Sequence, residues 1–220
     1  MTTTAQVEKL VRPLLRRRPE LAFSRRHVFA QPVHHVLAAV CLDRSSDPAA
    51  IIVIPTVLPV YHVGRLNLKW GWRVRSPGSI GFRTDQPDVQ NVLIHVLEKE
   101  VLPRLAAIVD IADFERHVLA HEDRHKFEFG YHLTTAVALG QLDRAREICR
   151  GYRATGGLET AGRNPAWWPD IERRRALCEL LEADDRAGMI ALLHQWEAAT
   201  AADWGIAKYW EPSPFPLDAM

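Results

Sequence analysis

The spacing of apolar residues changes character once along this chain, and that change limits the fold more than any other feature. Residues 25–75 hold four extended runs, whereas from Asp85 onward apolar residues return at intervals of three and four. Strands followed by helices make an α+β fold, not an alternating α/β one. The clearest run is 65–75. There Leu66, Leu68, Trp70, Trp72 and Val74 alternate with Arg65, Asn67, Lys69, Gly71, Arg73 and Arg75, the pattern of a half-buried antiparallel strand with one wet, basic face. Runs 25–31, 33–43 and 50–61 precede it. The second is apolar on both faces and so central, while Pro55 and Pro59 in the third imply an edge or bulges. The short links between runs favour a meander.

Helical segments flank these runs. Residues 6–18 bury Val7, Leu10, Val11, Leu14 and Leu15 on one face, place Arg16, Arg17 and Arg18 at the dipole's negative end and stop at Pro19. Asp85 is positioned to cap a helix running through Leu102, with Pro103 kinking its end, and Asp110 to cap the next. Segments 129–139, 142–152, 169–183 and 185–202 follow, the first closed by Gly140. Residues 210–220 contain Pro212, Pro214 and Pro216 and read as an extended tail. The expected architecture is an antiparallel sheet of about four strands with flanking helices over 1–108, then a bundle of helical hairpins over 109–220.

A short echo lies within that bundle. Leu139-Gly-Gln-Leu-Asp-Arg-Ala145 aligns with Leu181-Glu-Ala-Asp-Asp-Arg-Ala187, 42 positions later. Over residues 126–200 the chain resembles tetratricopeptide-type helical hairpins, whose linkers carry this Gly-x-Leu-acid-x-Ala pattern. That resemblance implies a protein-binding role. The overall plan is similar to small bacterial α+β immunity and accessory proteins, which neutralise or carry a partner.

Composition sets the remaining limits. With 220 residues, 47% hydrophobic and 25% charged, the chain has material for a sizeable core. Residues 1–10 are polar, so no secretory leader is expected, and the longest apolar run, 51–61, is too short to span a bilayer. Cys41, Cys149 and Cys178 are odd in number and widely spaced, which favours buried structural thiols in a reduced, cytoplasmic setting. Charge is divided unevenly: residues 1–75 carry 12 basic and 4 acidic side chains, residues 76–220 carry 16 and 23.

The basic strand face of Arg65, Lys69, Arg73 and Arg75, extended by Arg25 and Arg26, is the principal candidate binding site. It suits an acidic protein partner, the chain's own acidic half or, less well, nucleic acid, because no aromatics interleave the basic residues. Trp167, Trp168, Trp196, Trp204 and Trp210 offer either interface or packing area. His34 and His35 point to opposite strand faces, so one of them at most meets Tyr61 and His62.

A catalytic spelling also occurs. His121-Glu122-Asp123-Arg124-His125 reads H-E-x-x-H, in which His121 and His125 would bind zinc and Glu122 act as base. Its context is poor. Asp123 and Arg124 are charged where zincins are not, Glu128 stands where a metzincin has Gly, and Glu147 would face the helix about 12 Å from His125. His121, His125, Glu128 and His132 do share a helix face, but one helix cannot close a tetrahedral site. The sequence therefore favours a non-enzymatic, cytoplasmic binding protein with no cofactor, with a zinc-dependent hydrolase as the alternative.

Overall fold

The computed structural model describes residues 2–63, 66, 68, 70–76, 81–120 and 131–219. Helix α1 (Thr4–Arg17) begins with a capping box: the Gln6 amide donates to the Thr3 hydroxyl and the Thr3 amide to the Gln6 side chain. It buries Val7, Val11 and Leu14. The strands β1 (Leu21–Ser24), β2 (His27–Ala30), β3 (Val36–Arg44), β4 (Ala50–Pro59) and β5 (Phe82–Arg83) form an antiparallel meander in sequence order. The fold is α+β as expected, with β3 central. The sheet has five strands where about four were expected: the run at 25–31 is only the second half of a hairpin begun by β1, and β5 pairs with β4 where the run at 65–75 was expected. Ser24 pairs with His27, and Arg25, at φ 55°, turns the chain with Arg26.

The run at 65–75 departs from expectation. Its described residues form no strand, although Val74 makes an isolated bridge to Val53 of β4. The reason is local. Trp70 takes φ 52°, which turns its side chain out of the alternation. It is buried edge-to-face against Phe114 and Tyr131. Next to it, Gly71 lies so near β4 that a Cβ would stand 2.3 Å from the Pro55 carbonyl oxygen, an approach only glycine permits.

Helix α2 (Val89–Val96) passes through a π-helical turn (Leu97–Val101) into α3 (Leu102–Ala106). Pro103 has no N–H to give to the preceding turn, and the wider turn falls where the ladder is weakened. Asp88, not Asp85, precedes α2, since Asp85 accepts a 2.5 Å bond from Arg83. Helix α4 (Ile111–Ala120) is capped by Asp110 as expected, through a 2.7 Å bond from the Asp113 amide. Helix α1 packs on β1 and α2, α3 on β3 and α4 on β4.

Two hairpins follow, α5 (His132–Ala138) with α6 (Leu142–Ala154), and α7 (Trp168–Glu182) with α8 (Arg186–Trp204). Their turns share one hydrogen-bond pattern. Gln141 and Leu142 donate to Ala136 and Gly140, as Asp185 and Arg186 donate to Leu180 and Asp184. Gly140 and Asp184 both have positive φ. The structural repeat is thus 44 residues, not the 42 of the sequence echo. At 44 the buried pairs Leu133 and Leu177, Val137 and Leu181, Ala145 and Met189, and Cys149 and Leu193 coincide. A tetratricopeptide unit repeats at about 34.

The apolar residues gather into two clusters, one under the sheet and one among the hairpins. Both draw on both halves of the chain: Ala201, Trp204 and Ile206 join the sheet cluster, and Tyr61 joins the hairpin cluster. The segment expected to be an extended tail is packed. Trp210 bridges Val33 in parallel, and Phe215 and Leu217 are fully buried. The expectation of three buried thiols is also corrected, because Cys149 on α6 is joined to Cys178 on α7. Only Cys41 is a thiol, its ionisation pushed up to about 12 by burial, which makes it inert.

His27, in β2, carries a pH consequence. Its Nδ1 is buried without a hydrogen-bond partner, and burial pulls its pKa down to about 4, against opposition from Asp43 and with reinforcement from Arg25 and Arg26. The unfolded chain binds that proton near the ordinary value of 6.5. Between these values the unfolded state holds more protons, so stability is full above pH 6.5 and is lost as pH falls toward 4. Urea unfolding at pH 7 and pH 4.5 should show wild type losing about 2–3 kcal/mol more than His27→Leu. Parallel losses in the two proteins would remove His27 from the account.

Candidate functional site

The site the structure assembles is centred on a glutamate in the core. In α8, Met189, Leu193, Trp196, Thr200, Ala201 and Trp204 are buried at helical spacing, and Glu197 sits on that face with no exposure at all. A buried carboxylate needs partners, and two imidazoles supply them. His35 Nδ1 donates to one oxygen at 2.7 Å, and His194 Nδ1 to the other at 3.1 Å. His35 stands just before β3, where the Val60 amide donates to its carbonyl, and its side chain is 11% exposed.

The far side of His35 meets the segment after α8. Its Nε2 lies 3.0 Å from the Ser213 hydroxyl and 3.1 Å from the Pro214 carbonyl oxygen. When Nε2 carries a hydrogen the carbonyl accepts it, and when it does not the Ser213 hydroxyl donates to the lone pair. The ring is thus satisfied in either state. Pro212 and Pro214 hold the stretch before Phe215 extended, with φ fixed at each ring, and Pro216 opens a short 3₁₀ turn over Pro216–Ala219. Two further contacts fix its register: the Val33 amide donates to Tyr209 at 2.8 Å, and the Glu211 amide to Val33 at 2.9 Å. Phe215 then stacks on His35 at 4.2 Å, leans on His194 at 4.7 Å and meets the edge of Tyr61. A cleft of about 280 Å³ opens beside Ser213, walled by His34, His35, Pro214, Leu139 and the first turn of α4.

Sequence reasoning set one of His34 and His35 beside Tyr61 and His62, but placed Glu197, His194, Ser213 and Phe215 in no site. Of the two adjacent histidines His35 is the packed one, and exposed His34 donates from Nδ1 to the Glu211 carbonyl. One signal was present. The apolar stripe of α8 includes position 197, and a Glu there is an acid on a buried face.

The expected binding residues fare differently. Arg73 and Arg75 are exposed, at the edge of the sheet beside β4. Arg65 and Lys69 lie outside the described residues, as do His121, Glu122 and His125 of the zinc alternative. Arg25 and Arg26 do not extend a free basic face. Arg25 donates to the Asp203 carbonyl at 2.7 Å, and Arg26 to the Leu42 carbonyl at 2.7 Å and to Thr2. Trp196 and Trp204 are packing residues, whereas Trp167 and Trp168 remain 52% and 42% exposed. His62 packs at a tilt against Tyr131, ring centroids 4.0 Å apart, and does not share the His35 site. Among the described residues no three His, Cys, Asp or Glu side chains are arranged to hold a metal ion, and no helix is long and apolar enough to cross a membrane. Comparison with known proteins gives no relationship: no family model, no curated protein and no solved structure matches this chain.

Proposed function

We propose that this chain acts by binding, as an accessory or immunity-type protein that docks an acidic protein surface on the Arg73–Arg75 edge. The observation that supports this reading is the exposure of both side chains on either side of buried Val74, where the chain bridges β4. Several arginines elsewhere are matched: Arg12 with Glu8, Arg17 with Glu98, Arg83 with Asp47 and Asp85, Arg144 with Glu115, Arg146 with Asp143 and Asp184, and Arg153 with Glu182. Among the described residues no acidic side chain pairs with Arg73 or Arg75, which leaves both available to an outside acidic surface. Arg65 and Lys69, nearby in sequence, belong to the same proposal. Trp167 and Trp168 provide a second exposed contact of the kind that anchors interfaces. An acidic protein is favoured over nucleic acid because, among the described residues, no exposed aromatic alternates with these arginines to stack on bases.

A cytoplasmic setting remains part of this proposal and requires the Cys149–Cys178 bond to survive or re-form there.

The test compares wild type with Arg73→Glu/Arg75→Glu as bait. A captured acidic protein, purified and titrated by calorimetry, should bind the double variant at least about tenfold more weakly, since rim charges steer and register a complementary surface. Equal affinity for the two baits would sink the reading. A capture abolished by nuclease, with steep salt dependence, would turn it to nucleic acid.

A further inference from the structure

We propose that Ser213, His35 and Glu197 form a nucleophilic hydrolase site facing the cleft beside α4, with small apolar carboxylic esters as its substrate class. The atoms are in the order such chemistry needs. The Ser213 hydroxyl is within hydrogen-bond reach of His35 Nε2, at 3.0 Å, and the opposite nitrogen of the same ring is held at 2.7 Å by a carboxylate with no solvent exposure. A nucleophile, a base and a group that orients the base are thereby in series. Three independent contacts hold the base in place: Glu197 at Nδ1, Phe215 stacked on its face and the Val60 amide on its backbone.

The cleft decides the substrate. Val109, Ile111, Ala112, Leu139 and Pro216 make most of it apolar, and about 280 Å³ admits a short acyl chain with its leaving alcohol. Pro214 has no N–H, so the residue after the nucleophile offers nothing to a developing oxyanion. The donors on that side are the amides of the first turn of α4, at Ile111 and Ala112, which lie outside that helix's own ladder. Asp110 also lines the cleft, with one carboxylate oxygen held by the Asp113 amide as the helix cap.

The reaction balances within these groups and water. The Ser213 oxygen bonds to the ester carbonyl carbon while its proton passes to His35 Nε2. The C–O bond to the alcohol then breaks, and the alcohol leaves with that proton. Water adds to the acyl-serine, giving its proton to His35, and the acid departs as Ser213 regains a hydrogen. In the charged interval Glu197 faces the imidazolium at Nδ1, and the Pro214 carbonyl accepts at Nε2 until the leaving group takes the proton.

The experiment uses the full chain, with a fluorophosphonate probe and p-nitrophenyl butyrate. Intact mass should show one adduct per chain, mapped to Ser213 by peptide analysis, and ester turnover should be lost in Ser213→Ala. His35→Gln should slow labelling by at least about 100-fold. Glu182→Gln, which touches only the exposed ion pair with Arg153, should label like wild type. Circular dichroism checks that each variant is folded. No Ser213 adduct on folded wild type, an adduct on another serine, or turnover equal to that of Ser213→Ala would each overturn the proposal.

Discussion

Glu197→Ala should lower the stability of this protein by about 3–5 kcal/mol, the range for breaking a buried ionic contact from one side. The carboxylate is fully buried, and each of its oxygens takes a hydrogen from one imidazole. Without it, His35 and His194 face a cavity with unmet donors, and the ring on which Phe215 stacks loses its anchor. The damage spreads to a second element, because Ser213 and Pro214 are held by the other side of His35. Glu197→Gln keeps the shape and one acceptor and should lose only about 1–2 kcal/mol. Urea unfolding at pH 7 measures both. A loss under about 1 kcal/mol for the alanine variant would mean that packing alone holds the segment after α8.

The second large effect concerns the Cys149–Cys178 bond. It closes a loop with a sequence separation of 29, for which chain-entropy reasoning gives about 3–4 kcal/mol. Cys149→Ser/Cys178→Ser should fall by that amount in chemical denaturation, and the loss should be centred on the hairpins, where both sulfurs are buried. A thiol count in denaturant without reductant should find Cys41 alone. Three thiols in protein purified without reductant would restore the reduced reading of the sequence. An unchanged midpoint in the double variant would show the bond to be incidental to stability.

The parts of the fold that were legible in the sequence are those in which neighbours in the chain are neighbours in space. The meander pairs β3 with β4 through a short turn, and α8 begins at the Asp185 cap, where the Gly188 amide donates to the carboxylate. Alternation misled at 65–75 because period-two burial does not require period-two backbone. With Trp70 at φ 52° and Gly71 pressed on Pro55, an irregular edge buries Trp70 and Val74 and leaves Arg73 and Arg75 in water. The Glu197 site was not legible for the opposite reason. Its residues come from positions 35, 197 and 213, and no local pattern links a histidine before one strand to a serine between prolines. The hairpin echo was seen at the wrong spacing because matching letters aligned Leu139 with Leu181, whereas the backbone aligns it with Ala183.

The loop between α6 and α7 acquires a practical meaning from the bond that spans it. Residues 161–169 are exposed, and Arg163 offers trypsin a site there. Since Cys149 and Cys178 lie on either side, one cut frees neither piece. A preparation nicked at this point would run as a single species on a gel without reductant and as two bands with it. Clipped and whole molecules would otherwise pass for the same protein.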